Sequence, residues 1–135
     1  MDQNVTEAPT LQDILDARLR IAPHIRRTPI LHADKLDAAA GCRLHLKLET
    51  LQITGAFKLR GALNTALQLG PDKIARGFIS SSSGNHAQGL SYAARMLGAK
   101  VVLVLPVGTP EMKIANTRAL GAEVILFDGD NASRW

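Results

Sequence analysis

Residues 97–105 read L-G-A-K-V-V-L-V-L, and this short stretch decides the fold. A helical pattern stops at Gly98, and an uninterrupted apolar run then extends from Val101 to Leu105. Such a run between turn signals is a strand buried on both faces, as in parallel sheets. The same phrase returns at 120–124 as L-G-A-E-V and leads into V-I-L-F at 124–127, a second buried strand. Upstream, G-F-I-S-S at 77–81 is a shorter strand. A helix with Ala87, Leu90, Ala93, Ala94 and Leu97 on one side joins it to the first run. Thr109, Pro110 and Glu111 cap and open the helix between the last two strands, and Gly121 closes it. Strand and helix alternate with short connections. The fold class is therefore α/β, a small parallel sheet with helices on both faces. The repeated L-G-A phrase reflects shared local physics, not a repeat architecture.

The N-terminal part reads differently. Thr10 is an N-cap with Asp13 three positions on, and Leu11, Ile14, Leu15, Leu19 and Ala22 give a helical stripe that ends at Pro23. Ile30 and Leu31 form a short extended piece, Asp34–Ala40 a brief helix stopped by Gly41, and 43–49 an alternating strand with Leu44, Leu46 and Leu48 on its buried face. Residues 47–62, K-L-E-T-L-Q-I-T-G-A-F-K-L-R-G-A, then pass from that strand through a turn into a helix opening with Phe57 and Lys58. Its apolar face is Leu59, Ala62, Leu63, Ala66 and Leu67. Gly70-Pro71 breaks the chain, residues 1–9 are polar and loose, and Asp128-Gly129-Asp130 turns.

Composition narrows the function. Hydrophobic residues make up 46% and charged residues 21% of 135, the balance of a globular domain with a core. No run of 18 apolar residues occurs, so no membrane span is expected, and the opening Met1-Asp2-Gln3-Asn4 lacks the form of a secretory signal. The single Cys42 suits a reducing, cytoplasmic setting. The net charge of +4 is scattered, with Arg26-Arg27 the only short basic pair, and aromatic residues are 4%, which argues against a nucleic-acid partner. His24, His32 and His45 have no metal-ligand spacing, so no metal is expected.

Two stretches carry chemistry. Lys58 stands at a helix start, where partial positive charge disfavours an ammonium; a neutral amine is what attacks a carbonyl in Schiff-base catalysis. Residues 80–89, S-S-S-S-G-N-H-A-Q-G, lie where a strand ends and a helix begins, the place where α/β sheets bind ligands. Hydroxyls and free backbone N–H groups there suit a carboxylate or phosphate. A well-capped turn with no ligand is the competing reading of this stretch, and a solvated surface residue that of Lys58. The turn has neither the G-x-S-x-G form of a nucleophile elbow nor a dinucleotide or Walker pattern. His86 orders the loop more readily than it acts as a base. Glu49 could be a general acid, but is better read as fixing the loop after its strand, with Arg60 paired to a carboxylate or solvent.

Together, K-L-E-x-x-Q-x-T-G-A-F-K-x-R-G-A and S-S-S-G-N-H-A-Q-G resemble the threonine/serine dehydratases of the fold-type II pyridoxal-phosphate enzymes, a pattern shared with serine racemases. Pro106 to Pro110 and K-I-A-N-T-R-A-L-G-A-E-V at 113–124 add to the resemblance, and Leu59 with His86-Ala87-Gln88 points to the dehydratase branch. The resemblance implies that residues 1–50 begin the large domain and 51–135 form most of the small one. It implies that Lys58 holds pyridoxal 5'-phosphate and later moves protons at the substrate Cα, with Phe57 beside the ring and Asn85 on its hydroxyl. Ser83, Gly84, Asn85 and His86 would hold the substrate carboxylate, with Ser83 on the ring face opposite Lys58, where racemases place a second proton carrier. The substrate would be a small hydroxy amino acid, the products a 2-oxo acid and ammonia, and the full-length enzyme a homo-oligomer.

Two departures qualify this. Ala56 stands where many members have serine. No two glycines are adjacent, so the family's glycine-rich phosphate loop is missing, and 132–135, A-S-R-W, do not match the family's continuation. The expectation is a truncated chain without turnover of its own, which leaves a non-catalytic fragment or a stand-alone anion-binding module as alternatives. Apolar surface on the first helix and at Leu44, Leu46 and Leu48 should then be uncovered.

Overall fold

A computed structural model of the chain describes residues 8–129; the expectations for residues 1–7, the Asp130 turn and the last residues through Trp135 lie outside the described residues. In chain order the elements are α1 (Leu11–Ile21), β1 (Ile30–Leu31), α2 (Asp34–Ala40), β2 (Leu46–Lys47), α3 (Lys58–Ala66), α4 (Pro71–Arg76), β3 (Phe78–Ser81), α5 (Asn85–Met96), β4 (Val101–Pro106), α6 (Glu111–Ala119) and β5 (Glu123–Phe127). Short 3-10 turns cover Ala22–His24 and Glu49–Leu51.

The parallel sheet runs β3-β4-β5, with Phe78 opposite Val101 and Leu103 opposite Val124. Consecutive order carries a consequence that the alternation pattern hides. Crossovers of one hand between strands laid down in sequence put their helices on the same face. Accordingly α5 and α6 share one core with β4: Ala87, Ala94, Val101, Leu103, Leu105, Ile114 and Ala122. The expected helical cover on both faces is not found among the described residues. On the opposite face Val102 and Val104 are half-buried and Ile79 is 74% exposed. For the same reason β4 is fully buried only at alternate residues, and β5 is an edge strand with Ile125 and Leu126 exposed, not the buried strand its composition suggests.

A second core lies behind α5. Leu59, Leu63 and Ala66 of α3 meet Ala93 of α5 and Ile21 of α1. Thus α5 is sandwiched between the sheet and α3, and this is why its buried set, Ala87, Gly89, Ser91, Ala93 and Ala94, spans two faces. The Ser91 hydroxyl is satisfied within the helix by donating to the Ala87 carbonyl at 2.8 Å.

Local signals hold at most ends. Thr10 and Asp13 form a reciprocal capping box, the Asp13 N–H donating to Thr10 Oγ1 at 3.2 Å and the Thr10 N–H to Asp13 Oδ2 at 2.8 Å. Gly41 ends α2 at φ 67°, a left-handed conformation that a side chain disfavours. Three expectations change. The 43–49 strand shrinks to β2, paired antiparallel to β1, and Leu44, Leu46 and Leu48 are half-buried. The break at Gly70-Pro71 opens α4, with proline in its first turn. Thr109 does not cap α6; its hydroxyl donates to the Pro106 carbonyl at 2.7 Å, and Pro110 takes the cap position. The exposed stripe on α1 is present, with Leu11 at 71% and Leu19 at 74% exposed.

Candidate active site

The approach to Lys58 is fastened before the helix begins. Glu49 receives two hydrogen bonds from Arg60, Nε to Oε2 at 2.9 Å and Nη2 to Oε1 at 2.7 Å, plus one from the Thr28 hydroxyl. Lys47 donates to the Thr28 carbonyl at 2.9 Å and lies 3.9 Å from Glu49. The Arg60 hydrogen bonds, with smaller help from Thr28 and the charges of Arg60 and Lys47, outweigh burial and pull the Glu49 carboxyl from 4.5 down to about 2. The same contact raises the Arg60 guanidinium. A carboxylate held this strongly ionised does not donate protons near neutrality, so the general-acid alternative for Glu49 falls and the loop-fixing reading stands.

Gln52 adds a second fastening. It is buried, its carbonyl accepts the N–H groups of Arg26 and Ile53 at 3.0 Å each, and its amide donates to the Arg26 carbonyl at 2.9 Å. The loop before Lys58 is thereby tied to the segment after α1. Sequence reasoning assigned Gln52 no role, although it stands in the K-L-E-x-x-Q motif; a buried glutamine leaves no mark of its partner in the sequence.

Lys58 opens α3 on the solvent side, 5.0 Å above the exposed Phe57 ring. Its amine has no hydrogen-bond or ion-pair partner among the described residues. The turn after β3 presents Ser83 and Gly84, both half-buried, and the exposed Asn85 and His86 that begin α5. No side chain caps α5, so its first N–H groups point outward unpaired by a cap. The two stretches meet because α3 and α5 pack side by side. A Cβ built on Gly89 would lie 3.2 Å from Leu59 N, Lys58 C and Lys58 O. Gly89 is one helical turn, about 6 Å of rise, from Asn85, so the starts of the two helices are neighbours. Thr54, four residues before Lys58, carries the one buried side-chain oxygen without a partner among the described residues. A groove of about 950 Å³ lies elsewhere, between α1 and α3; Lys58, Ser83 and Asn85 do not line it. His32 and His45 pack edge to face at 4.2 Å, a contact that sequence spacing did not reveal.

An α/β half-site with a lone lysine beside an uncapped helix start defines a class before it defines a family. Comparison with known proteins supplies the family. Residues 21–134 match the model of the pyridoxal-phosphate dependent enzymes, and the chain belongs to that family. It is 38% identical over 120 residues to the L-threo-3-hydroxyaspartate ammonia-lyase of Saccharomyces cerevisiae, covering 89% of this chain and 37% of the relative. Maize serine racemase superposes with a TM-score of 0.88 at 36% identity, over 95% of this chain and 39% of that one. The threonine deaminase of T.th. superposes at 0.82 with 48% identity, over 93% and 39%. The chain therefore spans well under half the length of these relatives.

The residues present fit part of a pyridoxal phosphate site. An unpaired amine suits the aldehyde, the Asn85 amide suits a ring hydroxyl, and the uncapped start of α5 suits an anionic group. No helix among the described residues is long and apolar enough to cross a membrane, and no cluster of three or more His, Cys, Asp or Glu among them could hold a metal.

Proposed function

We propose that this chain supplies the lysine and carboxylate-binding half of a pyridoxal-phosphate-dependent ammonia-lyase acting on a small hydroxy amino acid such as threonine or serine. The observation that carries this reading is the juxtaposition of the unpaired Lys58 with the uncapped start of α5 through the Gly89 contact. When bound, the cofactor supplies an electron sink for charge developing at the substrate Cα.

In this reading the Lys58 amine holds the cofactor and moves the proton at the substrate Cα, and Phe57 lies beside the ring. Asn85 donates its amide to the ring hydroxyl. Ser83 and the N–H groups of Gly84, Asn85 and His86 take the substrate carboxylate, the use to which helix starts are suited. The Glu49–Arg60 pair holds the loop, so the lysine is placed before substrate arrives, and orientation of this kind is a large part of catalysis. Residues 1–50, with their separate hairpin, belong to the large domain, and 51–135 to the small one. No phosphate-binding glycine loop is among the residues of this chain, so we expect negligible turnover from the 135 residues by themselves. Serine racemase chemistry is the second reading. The close superposition on the maize enzyme favours it, with Ser83 as the second proton carrier.

Joining this chain to the remaining part of the T.th. threonine deaminase tests the proposal. The chimera should release 2-oxo acid and ammonia from threonine or serine, and Lys58→Ala should abolish release. A folded, cofactor-loaded chimera without turnover contradicts the lyase reading. Loss of racemisation but not of elimination in Ser83→Ala would identify the racemase chemistry.

A further inference from the structure

We infer that Gly89 is a positioning residue: the missing side chain at this one place sets the distance between Lys58 and the 83–86 turn. The inference rests on the functional reading above. Gly89 lies inside α5, where alanine is the better helix former, so helix propensity does not explain a glycine. Its backbone has no need of glycine either, for its φ is not in the left-handed region. What it has is crowding. The built Cβ meets three atoms, Leu59 N, Lys58 C and Lys58 O, each at 3.2 Å, and all three are backbone. A side chain could swing aside, but the first turn of α3 cannot. It is held by the Arg60–Glu49 pair, and Leu59 and Leu63 are fully buried.

A methyl group at residue 89 therefore pushes the starts of α3 and α5 apart. Helix α5 carries Asn85 and His86 on its first turn and follows Gly84 directly, so a shift of a few tenths of an ångström at Gly89 is transmitted to the groups that face the lysine. The other interior helix glycine near the site, Gly61 of α3, has nothing within 4 Å of its built Cβ. The pair Gly61 and Gly89 thus separates the effect of backbone freedom from that of close approach.

The test compares wild type, Gly89→Ala and Gly61→Ala as the full 135-residue chain. Each is treated with pyridoxal phosphate and borohydride, and labelling at Lys58 is divided by that at the exposed Lys100. Gly89→Ala should lower this ratio roughly 10-fold or more, in keeping with the sensitivity of positioned groups to small misplacement. Gly61→Ala should leave it unchanged. Circular dichroism confirms folding, and trimethylamine oxide, which favours the compact state, restores the folded fraction of Gly89→Ala where needed. Where wild type labels Lys58 selectively, an unchanged ratio in folded Gly89→Ala, or an equal fall in Gly61→Ala, overturns the inference.

A readout without cofactor keeps this distinct from the lyase reading. Nuclear Overhauser contacts from the Gly89 α-protons to the Leu59 amide should be strong in wild type, and the same contact from the α-proton of residue 89 should weaken in Gly89→Ala. Absence of the first, or persistence of the second, overturns the inference whatever the cofactor does. Their presence in a wild-type chain that shows no selective labelling would instead count against the cofactor reading while supporting the spacing role.

Discussion

Replacing Glu49 by glutamine should remove a pH-dependent part of the stability. Glu49 titrates at about 2 in the folded chain against an ordinary 4.5, chiefly through its hydrogen bonds to Arg60. A depressed carboxylate stabilises the fold fully above its unfolded pKa. That stabilisation is lost as pH falls from 4.5 through about 2, because the unfolded chain then binds the proton first. Taken at face value the shift is worth ~3 kcal/mol, at about 1.4 kcal/mol per unit. The side chains of Arg60 and Glu49 retain 27% and 19% of their exposure, so solvent screens the pair. A contribution of about 1–2 kcal/mol is the better figure for such a partly exposed but bidentate contact. Urea unfolding of wild type and Glu49→Gln across this range checks the number. The gap between them should be about 1–2 kcal/mol at neutral pH and should shrink toward zero near a pH of about 2, where the carboxyl gains its proton. A gap that stays constant with pH would refute the reasoning, for the loss would then be one of packing and not of charge.

Further outcomes follow from the same structure. Gln52→Ala leaves the Arg26 N–H and carbonyl unpaired and should cost about 1–3 kcal/mol, read as a fall in Tm. Leu103→Ala opens a cavity at a fully buried centre between the sheet, α5 and α6; chemical denaturation should show a loss of about 2–5 kcal/mol. Leu19→Glu alters a side chain that is almost wholly in solvent. It should change stability by less than about 0.5 kcal/mol while reducing self-association in sedimentation velocity, since exposed apolar stripes promote contact.

Much of the fold was legible because local chemistry and tertiary structure agree there. The capping box at Thr10, the glycine stop at Gly41 and the apolar run of β4 each announce themselves within a few residues. The expectation of helices on both faces failed for a topological reason. Alternation of strands and helices fixes parallel pairing but not strand order, and the order β3-β4-β5 leaves Ile79 and Ile125 without helical cover among the described residues. Strand burial was overstated for β5 because an edge strand and a central one share the same apolar composition.

Of the candidate site, Lys58 and the 83–86 turn stand out in the sequence as motifs, and the loop-fixing part of Glu49 was legible there too. Gln52 and Gly89 were not assigned roles, though both lie inside the same motifs. Their roles depend on what packs against them, Arg26 for one and the Lys58 backbone for the other, and a single sequence does not print such pairings.

The central claim is that Lys58 is the residue prepared for pyridoxal phosphate. Reductive trapping of the cofactor on the 135-residue chain, followed by peptide mapping, tests it most directly. The account predicts a single dominant adduct at Lys58, lost in Lys58→Ala and not replaced elsewhere. Labelling spread evenly over the exposed lysines, with Lys58 no more modified than Lys100, would contradict it.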